Sequence, residues 1–346
     1  MVRAIIAIVM IPLALVCAPA VAQAQDDVAA FYAGKRVALQ VGSAAGTGYD
    51  IIARVIARFM PRHIPGQPTM IVQNVAGAGS IRLAISLLNV GPHDGTAFGL
   101  AINGLPTAPL LQPAAAKFDT AKFNWIGSTN REIQVTTVWH TAPVQTLEQL
   151  KTTELVVGAT TPGMATMDFP AIANAVLGLR FRIVPGYEGT AQINIAMERG
   201  EVHGNAGIGW VSVKAQSLAW LNEGKIRIPV QFGFERHPDL KDVPTAFSLA
   251  ITEAQRQALS LVFARQEYGR PFFAPPGVPA TRVAALRRAF DATMKDKDFL
   301  TEADKLKLEI EPMTGEVLQG LVAKLAGTPP AVVQDVRDAL ARAGKK

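Results

Sequence analysis

The sequence predicts an α/β fold in two domains with mixed, mainly parallel sheets, and three observations predict it. β-rich runs alternate with stretches of helical periodicity, glycine-rich turns join several of those runs to the helix that follows, and 346 residues suit about two domains. With 49% hydrophobic and 18% charged residues, each domain can bury a core without metals or crosslinks. The same figures exclude a disordered tail, a collagen-like repeat, a disulfide-stapled miniprotein and a Cys-rich metal domain. No repeat or low-complexity linker interrupts the chain, so the domains are expected to be joined by crossing strands rather than by a tether.

The first 24 residues read as a cleavable secretory signal. Arg3 supplies the positive start, Ala4 to Val16 an apolar run, and Ala22-Gln23-Ala24 the small-x-small site, which starts the mature chain near Gln25. The run is shorter than the roughly 18 residues of a membrane anchor, and no later stretch reaches that length. Cys17, the only cysteine, falls inside the signal behind Val16, where a lipoprotein signal has a small residue. The mature protein is therefore expected to lack thiol chemistry, disulfides and thiolate metal sites.

The mature chain then alternates. Val37 to Val41 is a strand ending in Gly42-Ser43-Ala44-Ala45-Gly46-Thr47-Gly48, and Tyr49 to His63 carries Ile51, Ile52, Val55, Ile56, Phe59 and Met60 at helical spacing. Pro65-Gly66 closes that helix, Met70 to Gln73 is a second strand, Gly77-Ala78-Gly79 a second glycine turn, and Ser80 to Leu88 a second helix. Phe98 to Ile102, Ile126 to Gly127 and Val135 to Trp139 read as strands, and Leu147 to Leu150 begins a helix after Thr146. Leu155 to Ala159 is a short buried strand followed by Thr160-Thr161-Pro162-Gly163. Ala191 to Arg199 is helical, Val202 to Ile208 and Ile226 to Phe232 are strands, and the chain from Ala280 onward is mostly helical, with Ala284, Leu286, Phe290 and Met294 as its stripe.

The loops carry whatever chemistry exists. A glycine turn between strand and helix exposes N–H groups at the positive end of the helix, where carboxylate or phosphate is favoured. Three such loops occur, Ser43 to Asp50, Ala76 to Ser80 and Thr160 to Thr166, and each glycine also has the plainer use of permitting positive φ. Ser43, Thr47, Thr160, Thr161 and Thr166 add hydroxyl donors, which favours a shared anion pocket. Asp50 would bind a ligand amine or hydroxyl or, equally, complement the first turn of its own helix. The 34 lysines and arginines against 28 aspartates and glutamates leave a charge of +6, spread without blocks or aromatic interleaving; this argues against nucleic acid and admits a small anion.

Enzyme motifs do not fit. The first glycine loop lacks the Lys-Ser/Thr ending of a phosphate-binding loop, and the second has Arg82 where a dinucleotide fingerprint needs a small residue. There is no G-x-S-x-G elbow and no H-E-x-x-H helix, and His63, His93, His140, His203 and His237 lie far apart. His203 alone, after Gly200-Glu201-Val202, stands in a strand that could reach a cleft.

The runs Ala45-Gly46-Thr47-Gly48-Tyr49-Asp50-Ile51-Ile52-Ala53-Arg54, Ile71-Val72-Gln73-Asn74-Val75-Ala76-Gly77-Ala78-Gly79-Ser80 and Pro92-His93-Asp94-Gly95-Thr96 resemble, in order and spacing, the substrate-binding receptors of tripartite tricarboxylate transporters, the Bug-type periplasmic receptors. The resemblance continues through Pro185-Gly186-Tyr187-Glu188-Gly189-Thr190-Ala191, Gly200-Glu201-Val202, Val243-Pro244-Thr245 and Arg270-Pro271-Phe272-Phe273-Ala274-Pro275-Pro276-Gly277-Val278-Pro279. It implies a two-lobed periplasmic binding protein of type II-like topology, with lobe 1 from residues 25–130 and 235–346, lobe 2 from 131–234, and two strand crossings as the hinge. It also implies that one ligand carboxylate is held in the interlobe cleft by backbone N–H groups and waters rather than by an arginine clamp. By motif position the ligand-binding residues are Ser43, Ala44, Gly46, Thr47, Gly48, Tyr49 and Asp50, then Gly77, Ala78, Gly79 and Asn103. From the second lobe they are Thr160, Thr161, Gly163, Met164, Thr166, Tyr187, Gly189, Thr190, Ala191, His203 and Asn205.

Two departures bear on the ligand. Thr47 stands between Gly46 and Gly48 with Tyr49 before Asp50, which makes the loop bulkier and aromatic, and His203 occupies a place where the family often has an acid. A dicarboxylate, an aromatic acid stacking on Tyr49 or Trp210, or a keto or amino acid all fit. The expectation is a periplasmic solute receptor without cofactor or metal. It is expected to be monomeric and not membrane-spanning, and to deliver a small carboxylate to integral membrane transporter subunits. The alternatives are a ligand sensor for a membrane signalling protein, and a periplasmic hydrolase or isomerase using Asp50, Glu188 or His203.

Overall fold

The computed structural model describes residues 28–343, so residues 1–24, expected to be a signal, lie outside the described residues, Cys17 included. The first strands are β1 (Arg36–Val41), β2 (Thr69–Asn74), β3 (Ala97–Leu100) and β4 (Asn124–Ser128). They are followed by β5 (Gln134–Trp139), β6 (Leu155–Gly158), β7 (Phe181–Val184), β8 (Gly204–Gly209) and β9 (Ile226–Phe232), then β10 (Pro271–Ala274) and β11 (Met313–Thr314). The longer helices are α1 (Gly48–Phe59), α2 (Ile81–Asn89), α3 (Ala165–Leu177), α4 (Thr190–Glu198) and α5 (Glu253–Phe263). Four more close the chain: α6 (Ala280–Thr293), α7 (Lys297–Lys305), α8 (Gly315–Ala326) and α9 (Pro330–Ala343). No helix among the described residues is long and apolar enough to cross a membrane.

Two sheets result. One has the order β11-β4-β10-β3-β1-β2 and the other β7-β6-β8-β5-β9. Within the first, β2, β1 and β3 are parallel and β10 runs antiparallel between β3 and β4. Within the second, β7, β6 and β8 are parallel and β5 runs antiparallel between β8 and β9. The parallel strands end toward the side where the strand-to-helix loops lie, which is where ligands bind in open α/β sheets.

Local chemistry explains the elements that position the loops. Val37, Leu39 and Val41 alternate inward along β1, and Thr47 caps α1 by accepting the Asp50 N–H. The helix expected to reach His63 tightens into a 3-10 turn at Met60–His63, because Pro61 has no N–H to continue it. The strand expected over Val202 to Ile208 begins at Gly204, which leaves His203 outside it.

Residues 235–266, expected in the first lobe, include α5, which packs on α3 of the second sheet; the chain rejoins the first sheet only at β10. The reason is apolar: Phe169 of α3, Phe232 of β9 and Phe263 of α5 form one aromatic cluster, and α5 covers a helix that would otherwise expose it. The C-terminal helix α9 also packs on α3 and α5, and additionally on the short helix Ala108–Leu111 of the first layer. Its position makes the main apolar core continuous across both sheets.

Candidate functional site

A cavity of about 370 Å³ opens between the two sheets, within the roughly 300–1,000 Å³ range of small-molecule sites. Tyr49, Ile102 and Asn103 wall it from the first sheet; Gln134, the Thr160–Thr166 loop, the Tyr187–Thr190 loop, Gly207 and Gly209 wall it from the second, and Glu132 reaches it from the first crossing. The glycine at 207 is required: its φ is +86° and a Cβ would strike the Ala165 carbonyl.

The first loop is held by its own side chains. Ser43 and Thr47 hydroxyls share a 2.8 Å hydrogen bond. Asp50 accepts from the Gly46 N–H at 2.9 Å, from Arg54 Nε at 3.0 Å and from Asn74 Nδ2 at 2.9 Å. With Arg54 as the main cause, these donors hold the Asp50 carboxyl at about 2, below its usual value of 3.8, against the opposing effect of burial. Of the two uses foreseen for Asp50, the structural one matches this geometry, since its oxygens are already engaged.

The third loop is built alike but anchored further away. Thr160 and Thr166 hydroxyls share a 2.8 Å hydrogen bond, and the Thr160 N–H donates to Thr166 Oγ1 at 3.1 Å. Asp168 accepts from the Gly163 N–H at 3.0 Å and from Arg265 Nη2 at 2.8 Å, in an ion pair whose two side chains are 4% and 3% exposed. Arg265 also donates to the Gly163 carbonyl and lies over the Phe169 ring, so the loop is fixed to the chain just before the second crossing.

Between the loops stands Tyr49. Its hydroxyl donates to the Gly269 carbonyl at 2.9 Å and accepts from the Asn103 N–H at 3.3 Å, and burial pushes its phenol well up. The Arg270 guanidinium lies 5.5 Å from the ring centroid. Burial also pushes the Glu132 carboxyl up, with Arg270 pulling the other way and Glu309 adding to the rise.

The structure brings Tyr49, Asn103, Thr160, Thr161, Gly163, Met164, Thr166, Tyr187, Gly189 and Thr190 to one cavity. Ala78 and Gly79 instead line an adjoining cavity of about 340 Å³ that shares Ile102 and Gly163 with the first. Ser43, Ala44, Gly46, Thr47, Gly48, Asp50, Gly77 and Ala191 do not line either one. Two residues considered for the ligand stand elsewhere. His203 Nδ1 accepts the Val156 N–H beside the start of β8, whereas the cavity meets Gly207 and Gly209 at its other end. Trp210 donates to Asp239 and borders a different cavity, so it cannot stack on a ligand in this one. Asn205 is fully buried within β8, away from the lining. Sequence reasoning missed Glu132, Gln134, Gly207 and Gly209, together with Asp168 and Arg265. An acid inside the short connection from β4 to β5 was the available signal for Glu132.

No protein-family model matches the chain, and no curated protein sequence does. Solved structures do match. A TctC solute-binding protein from Polaromonas aligns at 21% identity over 88% of this chain and 99% of that one, with a TM-score of 0.66. An R. palustris protein solved with adipate aligns at 20% identity over 87% and 97%, TM-score 0.64. MatC from Rhodopseudomonas palustris with bound malate aligns at 22% over 89% and 98%, TM-score 0.59. The likeness shows that the chain has the two-lobed α/β fold of these structural neighbours.

Proposed function

We propose that the chain is a periplasmic solute receptor that takes a small organic carboxylate into the interlobe cavity and presents it to integral membrane transporter subunits of the tripartite tricarboxylate type. In this reading residues 1–24 are the export signal, the protein works as a monomer, and the ligand leaves unchanged. Lobe 1 would comprise residues 25–130 and the chain from β10 onward, lobe 2 the segment between the crossings. The observation that carries the reading is the convergence of both sheets on one cavity, with Tyr49 from the start of α1 and Asn103 on one side, and the Thr160–Thr166 loop before α3 and the Tyr187–Thr190 loop before α4 on the other. Adipate and malate in two structural neighbours support a carboxylate. A ligand held by both lobes stabilises the closed arrangement by its differential affinity for that state, and the membrane partner can read the difference.

A thermal-shift screen tests this. The mature protein, refolded once to strip carried ligand, is exposed to adipate, malate, citrate, benzoate and glutamate. A ligand at 100 times its Kd stabilises the native state by about 2.7 kcal/mol, a rise of a few degrees. A rise with one of these acids that leaves the acid chemically intact is expected. No rise with any of them, or turnover of the bound acid, overturns the reading.

A further inference from the structure

Most charged groups near the cavity already have partners. Arg265 is paired with Asp168, Arg54 with Asp50, and Arg131 lies 3.6 Å from both Glu267 and Glu311. Arg270 differs. It is 8% exposed, its backbone N–H donates to Ser128 Oγ, and its side chain makes no hydrogen bond or ion pair with any described residue; Nε is fully buried without a partner. A guanidinium removed from water without an acceptor is costly, and the cation–π contact with Tyr49 offsets only part of that cost.

Its position gives the cost a use. One Nη lies 3.3 Å from where a Cβ would stand at Gly48, the first residue of the 12-residue helix α1. The Asp50 and Ile51 N–H groups are taken up by Thr47, whereas those of Gly48 and Tyr49 donate to nothing among the described residues. Guanidinium, free N–H groups and helix dipole together make an anion seat, and a carboxylate can meet the arginine fork in bidentate fashion. Glu132 is the second uncommitted charge. Its side chain lines the cavity, its carboxylate has no hydrogen-bonding or ionic partner among the described residues, and it approaches the α-carbon of Gly209 so closely that its Oε1 lies 2.5 Å from where a Cβ would be. Arg270 and Glu132 feel each other's charge without forming an ion pair.

Building on the receptor reading, we propose that Arg270, beside the Tyr49 wall of the cavity, seats the ligand's carboxylate at the start of α1, and that Glu132, which lines the cavity, faces a donor group elsewhere on the ligand, so that the preferred ligand is an amino carboxylate and not a diacid. A second carboxylate beside Glu132 would meet like charge; an ammonium neutralises it.

The test compares matched probes, 6-aminohexanoate with adipate and 4-aminobutyrate with succinate, by calorimetry and thermal shift on wild type, Arg270→Met, Arg270→Lys and Glu132→Gln. Expected for wild type is tighter binding of at least one amino acid than of its diacid, by about tenfold or more. Arg270→Met should lose about 100-fold in affinity while its ligand-free Tm rises, because a guanidinium without an acceptor has been replaced by a well-packed apolar chain. Arg270→Lys should fold as wild type and lose about tenfold, and Glu132→Gln should bring each diacid close to its amino partner. Arg270→Met that is unfolded or melts lower in the absence of ligand makes Arg270 structural and overturns its assignment, as does unchanged affinity in Arg270→Lys. Diacids preferred by wild type overturn the role of Glu132. If no carboxylate of any kind shifts wild type, the receptor reading falls, and the ligand-free Tm of Arg270→Met still decides whether Arg270 is an uncommitted group.

Discussion

The two sheets repeat one five-strand plan, β2-β1-β3-β10-β4 in the first and β7-β6-β8-β5-β9 in the second, with one antiparallel strand inserted at the same place in each and the two-residue β11 added antiparallel at the edge of the first. Their first loops repeat it in detail. Ser43 with Thr47, and Thr160 with Thr166, make a hydroxyl pair at 2.8 Å, and an aspartate early in the following helix accepts a glycine N–H from the loop. The partners of those aspartates differ. Asp50 is matched by Arg54, one turn along the same helix and 54% exposed, whereas Asp168 is matched by the buried Arg265 at a sequence separation of 97. The first lobe therefore carries a self-contained loop, and the second carries a loop fixed to the chain that leads into the crossing. A shift of the first loop relative to the crossing breaks no ion pair, but moving the second means breaking a buried one.

That contrast ranks the consequences of mutation. Asp168→Ala should be the most damaging, at about 3–5 kcal/mol, because it leaves the Arg265 guanidinium buried without its carboxylate. Chemical denaturation measures it, and Asp168→Ala combined with Arg265→Met should recover much of the loss. A cost under 1 kcal/mol for the single change would show that the two loops are anchored with similar strength.

Asp50 comes next and is read best by pH. Its carboxyl titrates at about 2 in the folded protein against 3.8 unfolded, so its contribution is complete above about pH 4–5 and is lost as pH falls through 2. Because Arg54, the main cause, is more than half exposed and so screened by solvent, the difference corresponds to about 1 kcal/mol. Asp50→Asn should destabilise by about 1–2 kcal/mol at pH 7 and lose less than wild type between pH 5 and 2. Parallel pH curves for wild type and variant would mean that the first loop does not depend on this carboxylate.

The first lobe was also the more legible of the two in sequence, for a physical reason. α1 shows a clean apolar stripe because one face is buried and the other wet, and β1 alternates for the same reason. α3 has no such signal. Eight consecutive residues, Thr166 to Ala173, are buried, including Asp168 and Pro170, so periodicity vanishes where the chain is enclosed all round. The loops were readable as glycine turns before helices, but their wiring was not. Tyr49 meets Gly269 at a sequence separation of 220, and the isolation of Arg270 and Glu132 depends on which charges the fold leaves unmatched. Likewise His203 and Trp210 looked suitable by residue type, and it is the boundary of β8 and the bond to Asp239 that turn them away.

Gly48→Val should have the smallest effect on stability and the sharpest on binding. Gly48 is exposed and heads α1, so a side chain there costs about 1 kcal/mol or less. Apart from its chain neighbours and the backbone of its own helix, the described atom within 4 Å of its added Cβ is the Arg270 Nη, at 3.3 Å, so the larger valine side chain would occupy the space between guanidinium and helix start. Denaturation midpoints within about 1 kcal/mol of wild type, with ligand affinity lowered by about tenfold or more, are the expected pair of results. The loop before α3 offers the control: Thr161→Val alters the second lobe's loop away from its aspartate pair and should leave the start of α1 untouched. Equal losses of affinity from both changes would mean that the carboxylate is shared between the lobes. A loss confined to Gly48→Val would place it on the first, where the uncommitted arginine stands.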